Sequence, residues 1–161
     1  MRQFTCLFLV FLLAMGCGFH LRGTQNHLST RFLYTYLNSE MPIDSVYNRS
    51  IKALIPLNKG KLVDKKAAKV SVNVSALSTF SRQIALSKDS SLIEYENTYQ
   101  LTVTITDLSN GVQLGSRKIQ TTQNLQKDVR HILASQDQAN INQSAAERTL
   151  AQLTIDYLAA F

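Results

Sequence analysis

The chain has 161 residues, the length of a single domain. It carries 17 Lys+Arg against 11 Asp+Glu, a formal net charge of +6, and only 17% of its residues are charged, against about 25% in a typical soluble domain. With 45% hydrophobic residues and two cysteines, this composition excludes a multi-span membrane protein, a disulfide scaffold and a disordered chain. Neutral polar residues fill the deficit: 50 of the 161 are Ser, Thr, Gln or Asn.

Arg2 precedes an apolar run from Phe4 to Met15, and Gly16, Cys17 and Gly18 follow. One positive charge, a short apolar stretch and small residues form the pattern of a cleaved secretory signal peptide over residues 1–16. About 12 apolar residues are too few for a comfortable membrane span, which needs about 20. The competing reading is an anchor that is never cleaved. Ala14-Met15-Gly16-Cys17 resembles a bacterial lipobox, with Ala14 where leucine is usual. On that reading Cys17 becomes the first residue of a single lipid-anchored domain, 17–161, and its thiol carries a diacylglycerol with an N-acyl chain such as palmitate. Several acyl chains give stable anchoring where one is marginal. Cys6 leaves with the signal, so no intrachain disulfide forms. Gly18, in place of Asp, is the sorting address of the outer membrane rather than the inner one.

Arg31–Leu37 is rich in aromatic and apolar residues and predicts a strand. Pro42 suits a first helical turn. Ile43, Val46, Tyr47, Ile51, Leu54 and Ile55 form a helical stripe, which Pro56 and Gly60 end. Lys61–Val63 predicts a short strand. Val70–Ser75 alternates strictly and predicts a strand extending to about Leu86 through a bulge near Ala76-Leu77. In Tyr99–Thr106 one face is Tyr, Leu, Val and Ile, and the other is Gln and Thr. Asn110-Gly111 predicts a hairpin turn into a strand over residues 113–123. Ala146, Leu150, Leu153, Tyr157 and Phe161 then fall at helical steps, on a helix starting near Ile132 or Ser135. The expected fold is α+β: a two-layer sandwich, with two helices packed on one face of a mixed four-stranded sheet.

No sequence pattern points to an enzyme. His20, His27 and His131 lack metal-ligand spacing. There is no phosphate loop, nucleophile elbow or zincin motif. Glu94 and Glu96 share a strand face, where a catalytic carboxylate pair competes with a plain solvated strand end. Lys59, Lys61, Lys65, Lys66 and Lys69, less Asp64, give +4 over 11 residues. This segment reads either as a solvated loop or as a contact for anionic headgroups or phosphates. A nucleic-acid role is disfavoured, because no aromatic–basic stacking platform accompanies the lysines.

Directly after the lipidation position stands Cys17-Gly18-Phe19-His20-Leu21-Arg22. This run resembles the mature N-terminus of the LPS-assembly lipoprotein family LptE, and the order of elements agrees along nearly the whole mature chain. The resemblance implies a non-catalytic outer-membrane lipoprotein, facing the periplasm, without a cofactor beyond its lipid. Such a protein plugs and helps assemble the β-barrel LptD, takes part in inserting lipopolysaccharide (LPS) into the outer leaflet, and binds LPS. The family's basic LPS contact before the Glu-Tyr strand matches Lys88, seven residues before Tyr95, with Arg82 nearby. Its second basic position, near the start of the last helix, is Ser135 here, and Lys127 or Arg130 are the available substitutes. The alternative function, from another class, is a free lipid-binding lipoprotein acting as carrier or scaffold. It would require an internal apolar cavity.

Overall fold

The computed structural model describes residues 27–87, 92–128 and 130–161. The predicted Cys17 lipidation site, the Gly18-Phe19-His20-Leu21-Arg22 motif and Lys88 lie outside the described residues.

The predicted first strand begins later than its aromatic run. Thr30–Leu33 forms a 3-10 turn, and the strand β1 spans Tyr34–Ser39. The turn places Phe32 fully in the core and leaves its carbonyl to accept from the Thr35 hydroxyl at 2.8 Å. Helix α1 spans Val46–Leu57, so Pro42 lies in the preceding turn and not in the helix. Ser45 is the reason: its Oγ accepts from the Asn48 amide at 3.1 Å and caps the helix three residues later than Pro42. Ile43 is accordingly 81% exposed, while Tyr47, Ile51 and Ile55 are fully buried. Pro56 sits inside the last turn and does not end the helix.

Strands β2 (Lys61–Leu62), β3 (Val70–Val74), β4 (Ser78–Leu86), β5 (Leu92–Asp107) and β6 (Gln113–Asp128) follow. The chain closes with helix α2, Ile132–Ala159. The mixed sheet has six strands rather than four. β1 is parallel to β2 and β3, and every pairing with β5 is antiparallel. The extra strands arise because β5 is 16 residues long. β3 and β4 lie end to end along one of its edges, and β6 runs along the other. Val74 faces Val103 and Ser78 faces Gln100, so β3 and β4 are separated by a one-residue excess, which is a bulge where the sequence predicts one. Ser75 fills it: its amide donates to the Thr102 carbonyl and its Oγ accepts from the Thr102 amide.

At the other end of β5, Gly111 takes a φ of 72° and closes the predicted Asn-Gly hairpin, the conformation glycine adopts without steric cost. Gly115 on β6 is needed for a different reason. A Cβ there would come within 2.6 Å of the Phe161 ring and 2.7 Å of the Tyr157 hydroxyl, the pair that closes this end of the core against Phe32.

Both helices cover one sheet face. Val70, Val72 and Val74 of β3 and Leu101, Val103 and Ile105 of β5 pack against Tyr47, Ile51 and Ile55 of α1 and Leu150, Ile155 and Leu158 of α2. The buried stripe of α2 contains the predicted Ala146 and Leu150 and is wider than predicted. Leu153 and Tyr157 are half-buried and Phe161 is 41% exposed, whereas Glu147, Ala151, Thr154, Ile155 and Leu158 are buried. Its full width was hidden because the stripe runs through two polar residues that satisfy α1. Glu147 Oε2 accepts from the Tyr47 amide at 3.0 Å, and Thr154 Oγ1 lies 3.0 Å from the Tyr47 hydroxyl.

Burial pushes the Tyr47 phenol up to about 12, against a smaller opposing effect of its bond to Thr154. A raised folded-state value means the phenol's contribution is fully present below about pH 10 and is lost as pH rises through about 12. Unfolding followed from pH 9 to 12 should show about 2–3 kcal/mol of lost stability from this group. Tyr47→Phe should remove that component; an unchanged alkaline slope in the variant would assign it elsewhere.

Candidate functional site

Two surfaces hold Arg82, Glu94, Glu96, Ser135 and the threonine face of the central strand. The first is the face of the sheet away from the helices. The alternation of β5 places Thr98, Gln100, Thr102, Thr104 and Thr106 there, each half-buried, with no charged residue among them. The register sets polar neighbours beside each. Thr104 lies between Asn73 and Ser116, and Thr106 between Ser71 and Gln113. Asn38 and Ser71 both donate to Asn73 Oδ1, at 3.1 and 3.2 Å. Thr104 and Ser116 hydroxyls are 3.0 Å apart. Lys118, beside Thr102, is the cation of this row. The result is a ribbon of hydroxyls and amides across β1, β3, β5 and β6, with spare donors and acceptors and no helix over it.

The second surface is the tip where β4, the first half of β5 and the last half of β6 extend past the helix-covered core. β5 starts seven residues before Tyr99, and β6 runs to Asp128 rather than residue 123. The alternation of Glu94 and Glu96 with Ile93 and Tyr95 continues the strand pattern here, in keeping with the strand face that the sequence assigns to the two glutamates. Arg82 lies mid-strand on β4, opposite Glu96, with a 2.9 Å ion pair. It is therefore a partnered cation and not a free one. Glu94 accepts from Gln126 at 2.8 Å. Each carboxylate thus has its own partner across the sheet, and the geometry gives no shared acid–base pair.

A cleft of about 700 Å³ opens between this tip and the start of α2, lined by Leu92, Glu94, Leu125, Asp128, His131 and Ser135 among others. Ser135, where the sequence resemblance expects a basic residue, bonds to the backbone of Asp128. Its Oγ accepts from the Asp128 amide at 3.1 Å and lies 3.3 Å from the Asp128 carbonyl, binding α2 to the end of β6. The proposed substitutes diverge. Arg130 lies 3.6 Å from the Asp128 carboxylate, and Lys127 is exposed on β6, opposite Ile93. The Asp128 carboxyl is held below the usual range by its bond to His131, then by the Arg130 amide. The cleft lining thus carries two carboxylates, Glu94 and Asp128, and no lysine or arginine.

Among the described residues no His, Cys, Asp and Glu group is placed to hold a metal ion, and no helix is long and apolar enough to cross a membrane. The lysines of residues 59–69 fall on neither surface; they gather at the opposite end of the molecule, around β2. Sequence reasoning missed Glu147. Its signal is the four-residue spacing from Gln143, whose amide donates to Glu147 Oε1 at 3.0 Å.

No family model matches the sequence, and no curated protein matches it. Solved structures do. The crystal structure of the rare lipoprotein B from Shewanella oneidensis matches with a TM-score of 0.66 at 19% identity, covering 79% of this chain and 94% of that one. The solution structure of an uncharacterized lipoprotein B from Nitrosomonas europaea matches with a TM-score of 0.68 at 20% identity, covering 89% of this chain and 92% of that one. A minor lipoprotein from Acinetobacter baumannii matches with a TM-score of 0.61 at 19% identity, covering 80% and 92%. At these identities the likeness is one of fold.

Proposed function

We propose that this chain is a lipid-anchored lipoprotein on the periplasmic side of the outer membrane, and that it plugs and helps assemble an LptD-type β-barrel. In that complex it takes part in inserting LPS into the outer leaflet and performs no catalysis. The observation that carries this reading is the uncovered polar face of the sheet. A surface facing bulk water normally interleaves both signs of charge. The row from Thr98 to Thr106 instead offers short neutral donors and acceptors, half-buried, with Thr104 bonded across to Ser116. A polar, wet barrel lumen accommodates such a surface, directly or through bridging water, whereas a buried unpaired charge there would be costly. The likeness of fold to three bacterial lipoproteins, the signal pattern and the Cys17–Arg22 run support the same reading. A free lipid carrier fits less well, because the space between sheet and helices is filled by side chains of both.

Detergent extraction of the tagged protein followed by affinity capture tests the proposal. A large barrel protein should be recovered with it; recovery of none would overturn the assignment. Depletion should lower both surface LPS and correctly folded barrel. For LPS contact, reversing Arg82 and Lys88 to Glu should weaken binding by about tenfold, equivalent to about 1.4 kcal/mol, with the domain still folded although Arg82→Glu gives up the ion pair to Glu96. Equal binding by the variant would move the contact elsewhere.

A further inference from the structure

The lysines around β2 have no part in the proposed barrel contact, and their placement carries a separate inference. Lys59, Lys61, Lys65, Lys66 and Lys69 are all exposed, and none forms an ion pair among the described residues, where the salt bridges are those of Arg82, Arg130 and His131. Backbone bonds gather them at one pole. The Lys69 amide donates to the Tyr34 carbonyl, and the Leu108 amide donates to the Lys69 carbonyl. Lys61 pairs with Tyr34, and the Ala67 amide closes a turn on Asp64. Exposed Arg31 joins them, near enough to act on Asp107. Asp64 lies within the lysine segment, and Asp107, near Arg31, already accepts from the amide and hydroxyl of Ser109. Lys59 keeps its side chain although its φ of 66° is a conformation that favours glycine.

The described chain begins at the same pole. The Leu28 amide donates to the Asn58 carbonyl at 3.1 Å, one residue from Lys59. Nine residues lie between Cys17 and His27, ten steps of chain that reach at most about 35 Å when extended. We infer that this lysine-rich pole rests on a bilayer surface of anionic headgroups, so that the lipid on Cys17 and the lysines together set the orientation of the domain. This rests on the lipidation reading but not on the barrel. Lysines near an anionic leaflet gain attraction that falls off within a Debye length, so a short tether and a basic pole at one end reinforce each other.

The test uses the full-length protein, purified without a barrel and reconstituted into vesicles of phosphatidylcholine alone or with 30% phosphatidylglycerol. The mass of the mature chain first reports the acyl groups on Cys17. Amine acetylation is then followed lysine by lysine. With anionic lipid, Lys59, Lys61, Lys65, Lys66 and Lys69 should react about fivefold more slowly, and 1 M salt should abolish the protection. Lys118, on the sheet face, should be unaffected. Replacing Lys61, Lys65, Lys66 and Lys69 by Gln should remove the protection of Lys59, and replacing them by Arg should retain it. Equal acetylation in both vesicle types with Cys17 acylated overturns the inference. Absence of the acyl mass overturns the anchor reading on which it rests.

Discussion

Glu147→Ala is expected to lower the unfolding free energy by about 2–3 kcal/mol, as the Tyr47 amide would lose its partner inside the core. In a domain of this size that corresponds to roughly 4–12 °C in the melting midpoint. The carboxylate is 5% exposed. It reaches across from α2 to the second amide of α1, while Ser45 takes the third. Two of the four amides that a helix start leaves unpaired are thereby satisfied by side chains. The positive end of the helix dipole also favours the negative charge. Glu147→Gln keeps the shape and the acceptor, so it should cost less than half as much. Thermal unfolding of the two variants checks this. An unshifted midpoint for the Ala variant would mean that water replaces the cap; equal losses for both would mean that charge, not the hydrogen bond, holds the helices together.

Thr102→Glu with Thr104→Glu should leave the domain folded and reduce barrel recovery at least tenfold. Both side chains point away from the core, so the stability change should stay within about 1 kcal/mol. In contact with a barrel wall the two carboxylates would be desolvated without partners, and truncating or mismatching charge in such places costs about 2–5 kcal/mol. The comparison of capture yield with the melting curve separates binding from folding. The conservative change Thr104→Ser, which keeps a hydroxyl for Ser116, should behave as the parent. Undiminished capture of the double variant would place the barrel contact on the helices or at the tip.

The sheet was legible wherever alternation stayed pure. Val70–Val74 and Tyr99–Thr106 carry aliphatic and aromatic residues on one face only, and both are strands with that face buried. The bulge near Ala76-Leu77 and the Asn110-Gly111 turn were legible from local chemistry. The reading stopped where polar residues entered the pattern. Residue order places Glu94 and Glu96 on a shared strand face but does not join it to Tyr99–Thr106 as one 16-residue strand, and Glu147 with Thr154 widens the buried stripe of α2 beyond the predicted Ala146 and Leu150. Ser45 outranked Pro42 as the helix start because a cap supplies an acceptor and proline only fits a dihedral angle.

The candidate site divides in the same way. Residue order alone was enough for the lipidation pattern, the neutral polar composition and the lysine cluster, since each is written in contiguous residues. Tertiary pairing decided their meaning. It set Arg82 against Glu96, made Ser135 a bracket to β6, and aligned the threonines of β5 with Asn73 and Ser116 into one uncovered face. It also brought residues 28 and 59–69 to a single pole. Local propensity acts over a few residues, whereas strand register and helix docking join residues a hundred or more apart, such as Tyr47 and Glu147. Only the packed chain assigns those partners.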